Sequence, residues 1–358
     1  MMTTLKTDFR DTVAVSIKDC FGPQARAVSF TAMPQSASTR SYYRISLTGD
    51  GPSSIVLMRL PENPFGSDEV TTEDVFRELP FCTMQKMLNH LAVPVPRIFA
   101  DCTLEGFLLL EDLGHRTMLS AMDPAHPPQI ESLYRQAIEL LVKFQSAMVQ
   151  SVANPAIDTR LVEQRSFDYE LLRWELDHFK EWLLHKWSGA SLSAAEEMAI
   201  EEAFDDIASR VVDMPYIPVH RDFQSTNLMV HDEELTLIDF QDALLGPVVY
   251  DVVSLLRDSY VSLDTGLLER LKRHYHQLAA PVIPIGDWAQ FEAHFRVQTL
   301  QRKLKDAGRF VFIDRVRKNP AFLQYIEPTL AFVSDALKQS PEYRTLSHVL
   351  AGYVPQLA

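Results

Sequence analysis

Between Val219 and Asp258 the chain reads VHRDFQSTNLMVHDEELTLIDFQDALLGPVVYDVVSLLRD, and no other stretch restricts its possible folds as tightly. Asp222 is followed after four residues by Asn227, and a short apolar run at 235–240 then carries Asp239 near its end. An apolar run of this length bounded by polar residues predicts a buried strand. Two acids and an amide are therefore expected at the mouths of strands, with the halves on adjacent strands.

These residue types suit phosphoryl transfer. The attacking hydroxyl needs a carboxylate beside it, and Mg²⁺ needs separate oxygen ligands to hold it against nucleotide phosphates. Asp222 suits the first task. Asn227 offers a neutral oxygen and Asp239 a charged one, and both suit a hard cation. A plain polar loop with Asn227 capping the next turn is the alternative. Four fixed positions would coincide in roughly one chain in a thousand at ordinary residue usage.

His220-Arg221-Asp222 with Asn227 has the H-R-D-x-x-x-x-N spacing of a protein-kinase catalytic loop. With Asp239-Phe240-Gln241 in place of D-F-G, the segment resembles the aminoglycoside phosphotransferase and choline kinase superfamily. The resemblance implies an α+β, bilobal, protein-kinase-like fold, with an N-terminal antiparallel sheet lobe and a larger, mainly helical C-terminal lobe. It implies ATP and Mg²⁺ as cofactors, His220 and Arg221 as catalytic-loop support, and Asp251 as the acid that braces the loop.

Phe9, Val13, Ile17 and Phe21 predict an amphipathic helix over 8–21, ended by Gly22-Pro23. Strands are expected at 27–31, 42–47 and 55–60. The first hairpin tip lacks glycine, and Ser36, Ser38 and Thr39 are its candidate phosphate donors; a solvated turn explains them equally. Arg59 stands on the third strand where kinases carry a phosphate-pairing lysine, which resembles choline kinases; a solvent-facing strand residue is the alternative. A helix is expected over 72–91; Glu73 and Glu78 lie too early in it to partner that strand residue convincingly.

Residues 106–114 read as a buried strand running into Gly114, with a hinge at about 109–114 and adenine contacts at the backbone of Glu111 and Leu113. The expected domains are 1–113, the nucleotide-binding lobe, and 114–358, the catalytic and substrate-binding lobe. Helices are expected at 129–149, 168–187, 193–212, from Gly246-Pro247 to Asp258, at 288–305 and at 321–337. Ser193 and Glu196 form a capping box.

The 358 residues carry 48 acids against 34 bases, a formal charge of -14, without a basic tract. That disfavours sequence-independent binding to nucleic acid or anionic membrane. Three scattered cysteines suggest neither disulfides nor zinc, and neither a signal peptide nor a membrane span is read, so a cytoplasmic protein is expected.

Further stretches are similar to one branch of the superfamily, the anomeric N-acetylmuramate/N-acetylglucosamine kinases of cell-wall recycling. They include SASTRSYYRI, LLRWELDHFKEWLLHK, IDFQDALLGPVVYD and QRKLKDAG. The partners implied are an amino sugar and a nucleotide, with oligomeric state left open. Arg257, Arg302 and Lys303 are candidate substrate contacts, and an ordinary surface ion pair is the alternative for each. The competing readings are an aminoglycoside or choline-type phosphotransferase and a nucleotide-binding regulator without catalysis.

Overall fold

The computed structural model describes residues 7–33, 40–61, 78–154 and 157–357. They form two compact units, one running to Arg116 and including Met229–Gln241, the other Thr117–Leu228 with the chain from Asp242 onward.

The first unit opens with α1 (Thr7–Phe21), whose periodic Val13 and Ile17 are fully buried. Its sheet holds β1 (Arg26–Ala32), β2 (Ser41–Thr48), β3 (Ser54–Arg59), β4 (Ile98–Cys102) and β5 (Phe107–Glu111) in the order β1-β2-β3-β5-β4. Every neighbouring pair is antiparallel. Ile45, Leu47, Ile55, Leu57, Phe107 and Leu109 present one face to α1 and build the core there. In β3 all of Ile55, Val56, Leu57 and Met58 are buried, which explains why this strand reads as an unbroken apolar run.

α2 (Pro80–His90) begins later than the expected residue 72. Glu78 and Leu79 are not helical, and 72–77, with Glu73, lie outside the described residues. Pro80 supplies the reason, because its fixed φ and missing N–H suit the first helical turn. Glu78 is engaged locally, by Lys86 and by Thr83 Oγ1 at 3.1 Å.

The second unit begins with α3 (Met118–Ala121), α4 (Pro127–Val152), α5 (Arg160–Glu163) and α6 (Tyr169–Phe179), which continues as a π-helix over Lys180–Trp187. α7 (Ala194–Val212) starts on the anticipated capping box: Ser193 N donates to Glu196 Oε2 at 2.8 Å. β6 (Tyr216–Val219) then leads into the catalytic-loop sequence. In the first unit, β7 (Leu228–His231) and β8 (Glu234–Leu237) pair in a two-stranded sheet.

β9 (Leu244–Pro247) replaces the expected helix start at Gly246-Pro247. It pairs antiparallel with β6, Val219 opposite Leu244 and Ile217 opposite Gly246. A two-stranded ribbon has only edges, so it accommodates Pro218 and Pro247. α8 (Tyr250–Leu256), α9 (Thr265–Ala279), α10 (Trp288–Arg317), α11 (Ile326–Lys338) and α12 (Arg344–Tyr353) complete the unit.

α10 is its central element. Gly308 lets it approach α6 closely, since a Cβ there would lie 2.7 Å from Phe179 Cα and 2.9 Å from the His178 carbonyl oxygen. The contact falls where α6 passes into its π-helical continuation. Among the described residues no helix is long and apolar enough to cross a membrane.

Candidate active site

β6 carries buried Ile217 and Val219 into the unit and releases the chain at His220. The next residue, Arg221, sits at φ +80°, a conformation that costs a non-glycine residue free energy. Asp251, in the first turn of α8, holds it there: its carboxylate accepts the His220 N–H at 2.7 Å and the Arg221 N–H at 2.9 Å. Asp251 is fully buried, and that burial pushes its carboxyl up despite these two bonds.

Arg302, on α10, holds the same turn from another direction. Its Nη1 donates to the Arg221 carbonyl at 3.0 Å and its Nη2 to Asp222 Oδ1 at 3.2 Å. The guanidinium lies over the Tyr250 ring, 4.8 Å from its centre. The Arg302 side chain is 1% exposed, whereas that of Asp222 is 44% exposed. The carboxylate is thus anchored on one oxygen and open to an acceptor.

Burial pushes the Asp222 carboxyl up, but the charges of Arg302, Arg221 and Lys305 outweigh it and hold the group below its ordinary value. Asp222 is therefore ionised at neutral pH and competent to take a proton.

Downstream, Ser225 is fastened to buried Asp258, whose Oδ2 accepts the Ser225 N–H at 2.9 Å and hydroxyl at 2.5 Å. Asn227 donates its side-chain N–H to the Asp222 carbonyl at 2.9 Å, which leaves its amide oxygen for a cation. In the first unit, Asp239 is exposed at φ +63° and accepts from Gln241 Nε2 at 2.9 Å. Neighbouring Phe240 is buried and stacks on Phe81, ring centres 4.9 Å apart.

Asn227, in the second unit, carries an amide oxygen and Asp239, in the first, a carboxylate, and each is a donor type that suits Mg²⁺. Among the described residues there is no cluster of three or more His, Cys, Asp or Glu able to hold a metal.

Other candidates lie as follows. Arg59 ends β3 with its guanidinium 5.4 Å from the Phe9 ring centre. Glu111 pairs with Arg97 at 2.8 Å and Leu113 is buried. Ser36, Ser38 and Thr39 fall outside the described residues. Lys303 is buried on Asp306 at 2.7 Å and Ser259 at 3.2 Å, and Arg257 faces Asp335 at 3.5 Å.

Sequence reasoning passed over four groups that the structure makes prominent. Asp112 receives Arg44 bidentately, at 2.7 and 2.9 Å, just after β5. Asp258 anchors the loop after Asp222, while Glu175 on α6 and Lys305 on α10 face each other at 3.9 Å. The one available signal was QRKLKDAG itself, a polar run inside a long helix that proves to be largely buried.

The chain is 32% identical over 324 residues to an N-acetylmuramate/N-acetylglucosamine kinase of Pseudomonas aeruginosa, covering 89% of this chain and 87% of the relative. In fold it resembles a choline kinase from Cryptosporidium parvum, TM-score 0.60 at 10% identity, over 95% of this chain and 99% of the other. It also resembles an amicoumacin kinase determined with AMP-PNP and Ca²⁺, TM-score 0.55 at 13% identity, over 87% and 89% of the two chains. The sequence pattern of the phosphotransferase enzyme family matches residues 29–294, so the chain, a kinase of hydroxyl acceptors with a protein-kinase-like fold, belongs to that family.

Proposed function

We propose that this kinase uses ATP and Mg²⁺ to phosphorylate the anomeric C1 hydroxyl of N-acetylmuramate or N-acetylglucosamine. The observation that carries the reading is the clamp on Asp222: the carboxylate is kept ionised by Arg302 yet is 44% exposed. Identity of 32% to a kinase of those sugars, over 89% of the chain, supports the acceptor.

In this mechanism Asp222 accepts the proton of the C1 hydroxyl as its oxygen attacks the γ-phosphorus of ATP, and ADP departs. Asn227 and Asp239 would hold Mg²⁺, which when bound offsets charge on the phosphates. Asp251 and Arg302 keep the turn from relaxing, so the carboxylate meets the hydroxyl already oriented. On this reading the nucleotide is the business of the first unit, with Arg59 and the backbone at Glu111 and Leu113 as its contacts.

A choline-like or aminoglycoside acceptor fits less well. The charges of Arg302 and Lys305 hold the Asp222 carboxyl down, and Lys305, which is partly exposed, would oppose a cationic acceptor. A regulator without catalysis has no use for an ionised, half-exposed carboxylate on a strained turn.

The test is ATP consumption with N-acetylmuramate, N-acetylglucosamine, an aminoglycoside and choline, followed by acid treatment of the product. Acid-labile sugar phosphate is the expected result. Turnover only with the aminoglycoside or choline would overturn the acceptor, and binding of ATP without transfer to any of them would favour the regulator.

A further inference from the structure

Lys305, one turn along α10 from Arg302, is a cation whose hydrogen-bonding capacity is not used. Its side chain is 17% exposed, and its Nζ lies 3.9 Å from Glu175 Oε1 and 3.4 Å from Asp306 Oδ1. Neither contact is a hydrogen bond. The other carboxylate oxygens are committed: Glu175 Oε2 accepts Gln301 Nε2 at 2.6 Å, and Asp306 Oδ2 accepts Lys303 Nζ at 2.7 Å. Among the described residues, the three N–H donors of Lys305 therefore have no hydrogen-bonded acceptor.

Burial alone would favour the neutral amine, but Tyr250, Glu175 and Asp306 hold Lys305 firmly protonated. A charged, partly exposed ammonium whose donors meet no hydrogen-bonded protein acceptor can offer them to a bound molecule. It stands one turn along α10 from Arg302, which bonds Asp222 Oδ1 at 3.2 Å, and its charge helps to lower that carboxyl.

The 3.9 Å separation from Glu175 has a specific chemical meaning. A hydroxyl group can accept from an ammonium and donate to a carboxylate at once, and so fits a gap too wide for a direct bond. A carboxylate entering there would face both Glu175 and Asp306, and a cation would face Lys305 and Arg302. An uncharged hydroxyl answers all four.

We propose that Lys305 and Glu175 form a subsite for one hydroxyl of the acceptor sugar, distinct from the C1 hydroxyl held at Asp222. This rests on the amino-sugar reading of the site. Gln301 orients the Glu175 carboxylate, and the close approach at Gly308 sets the separation of α6 from α10. The subsite thus sorts acceptors by where their hydroxyls project.

The test pairs enzyme variants with acceptor variants: wild type, Lys305→Met, Lys305→Arg and Glu175→Gln against N-acetylglucosamine and its 3-, 4- and 6-deoxy analogues. Lys305→Met should raise the KM for N-acetylglucosamine about 10- to 100-fold, the usual worth of a hydrogen bond to a charged group, and leave the KM for ATP unchanged. One deoxy analogue should suffer a comparable loss on wild type and no further loss on Lys305→Met. Lys305→Arg, which keeps the charge and donors, should recover part of the affinity, and Glu175→Gln should show the same analogue dependence while its thermal unfolding confirms a folded protein. Equal losses for every analogue on wild type and Lys305→Met, or an unchanged acceptor KM, would overturn the subsite. Failure of the wild type to use the sugar at all would instead overturn the acceptor reading, and this subsite with it.

Discussion

Two segments carry the proposed chemistry, and each bends a non-glycine residue into the left-handed region: Arg221 at φ +80° and Asp239 at φ +63°. They are held in different ways. The first is secured by buried charge, with Asp251 on two backbone N–H groups, Asp258 on Ser225 and Arg302 on the Arg221 carbonyl. At the second, buried Phe240 stacks on Phe81 and Gln241 Nε2 donates to Asp239 Oδ1 at 2.9 Å. Directional bonds suit a carboxylate that must meet a hydroxyl in one orientation. A carboxylate that ligates a water-rich cation can tolerate looser support, because the cation's other ligands adjust around it.

The largest effect should come from the carboxylate proposed as the base. Asp222→Asn keeps the shape but removes the base, and turnover should fall about 10²- to 10⁴-fold. Nucleotide affinity should be nearly intact by equilibrium binding, and near-normal turnover would remove Asp222 from its role. Next comes the brace. Asp251→Ala leaves two buried N–H groups without an acceptor at a strained turn, at about 1–3 kcal/mol each. Denaturant unfolding should register that loss together with a fall in turnover. A small loss of stability would mean the turn holds itself and the contrast with Asp239 is false.

How much of this was visible in the amino-acid order follows from the same contrast. Val13 and Ile17 repeat at helical spacing, Ser193 and Glu196 are one turn apart, and Asp222 and Asn227 are nearly adjacent in the chain, so each could be read locally. The helix start at Pro80 and the strand at Leu244–Pro247 were misplaced because a proline can open either element, and only β6 decides the second. Arg302 is 80 residues from Asp222, and Glu175 is 126 from Gln301, so their pairing depends on how α6 and α10 pack. A buried polar network leaves little mark in sequence beyond polar residues in a helix with no clearly wet face.

The comparison can be sharpened through the cation on Asp222. After burial, Arg302 is the strongest influence on that carboxyl, and it acts downward. Removing it raises the Asp222 pKa, so a larger fraction is protonated and inactive at acidic pH. For Arg302→Met the acid limb of kcat/KM should therefore move to higher pH. A misplaced base can cost about 10²-fold, which sets the scale of the fall in kcat. Arg302→Lys should restore the limb more fully than the rate, because an ammonium keeps the charge but not the two-pronged geometry. An unmoved limb with a lowered melting temperature would assign Arg302 to the fold alone.

Gln241→Ala should do least, and that smallness is the point of the comparison. It removes a 2.9 Å bond between an amide and a carboxylate, worth about 1.5 kcal/mol, the low end for a charged partner, because the carboxylate is exposed. Phe240 still stacks on Phe81, so the turn that presents Asp239 keeps that contact. Mg²⁺ titration of activity should shift a few-fold, while thermal unfolding stays close to that of the wild type. A collapse in turnover as deep as that of Asp251→Ala would show that the Asp239 turn needs directional bonding as much as the catalytic loop does. The division between a charge-braced base and an aromatically seated metal ligand would then fail.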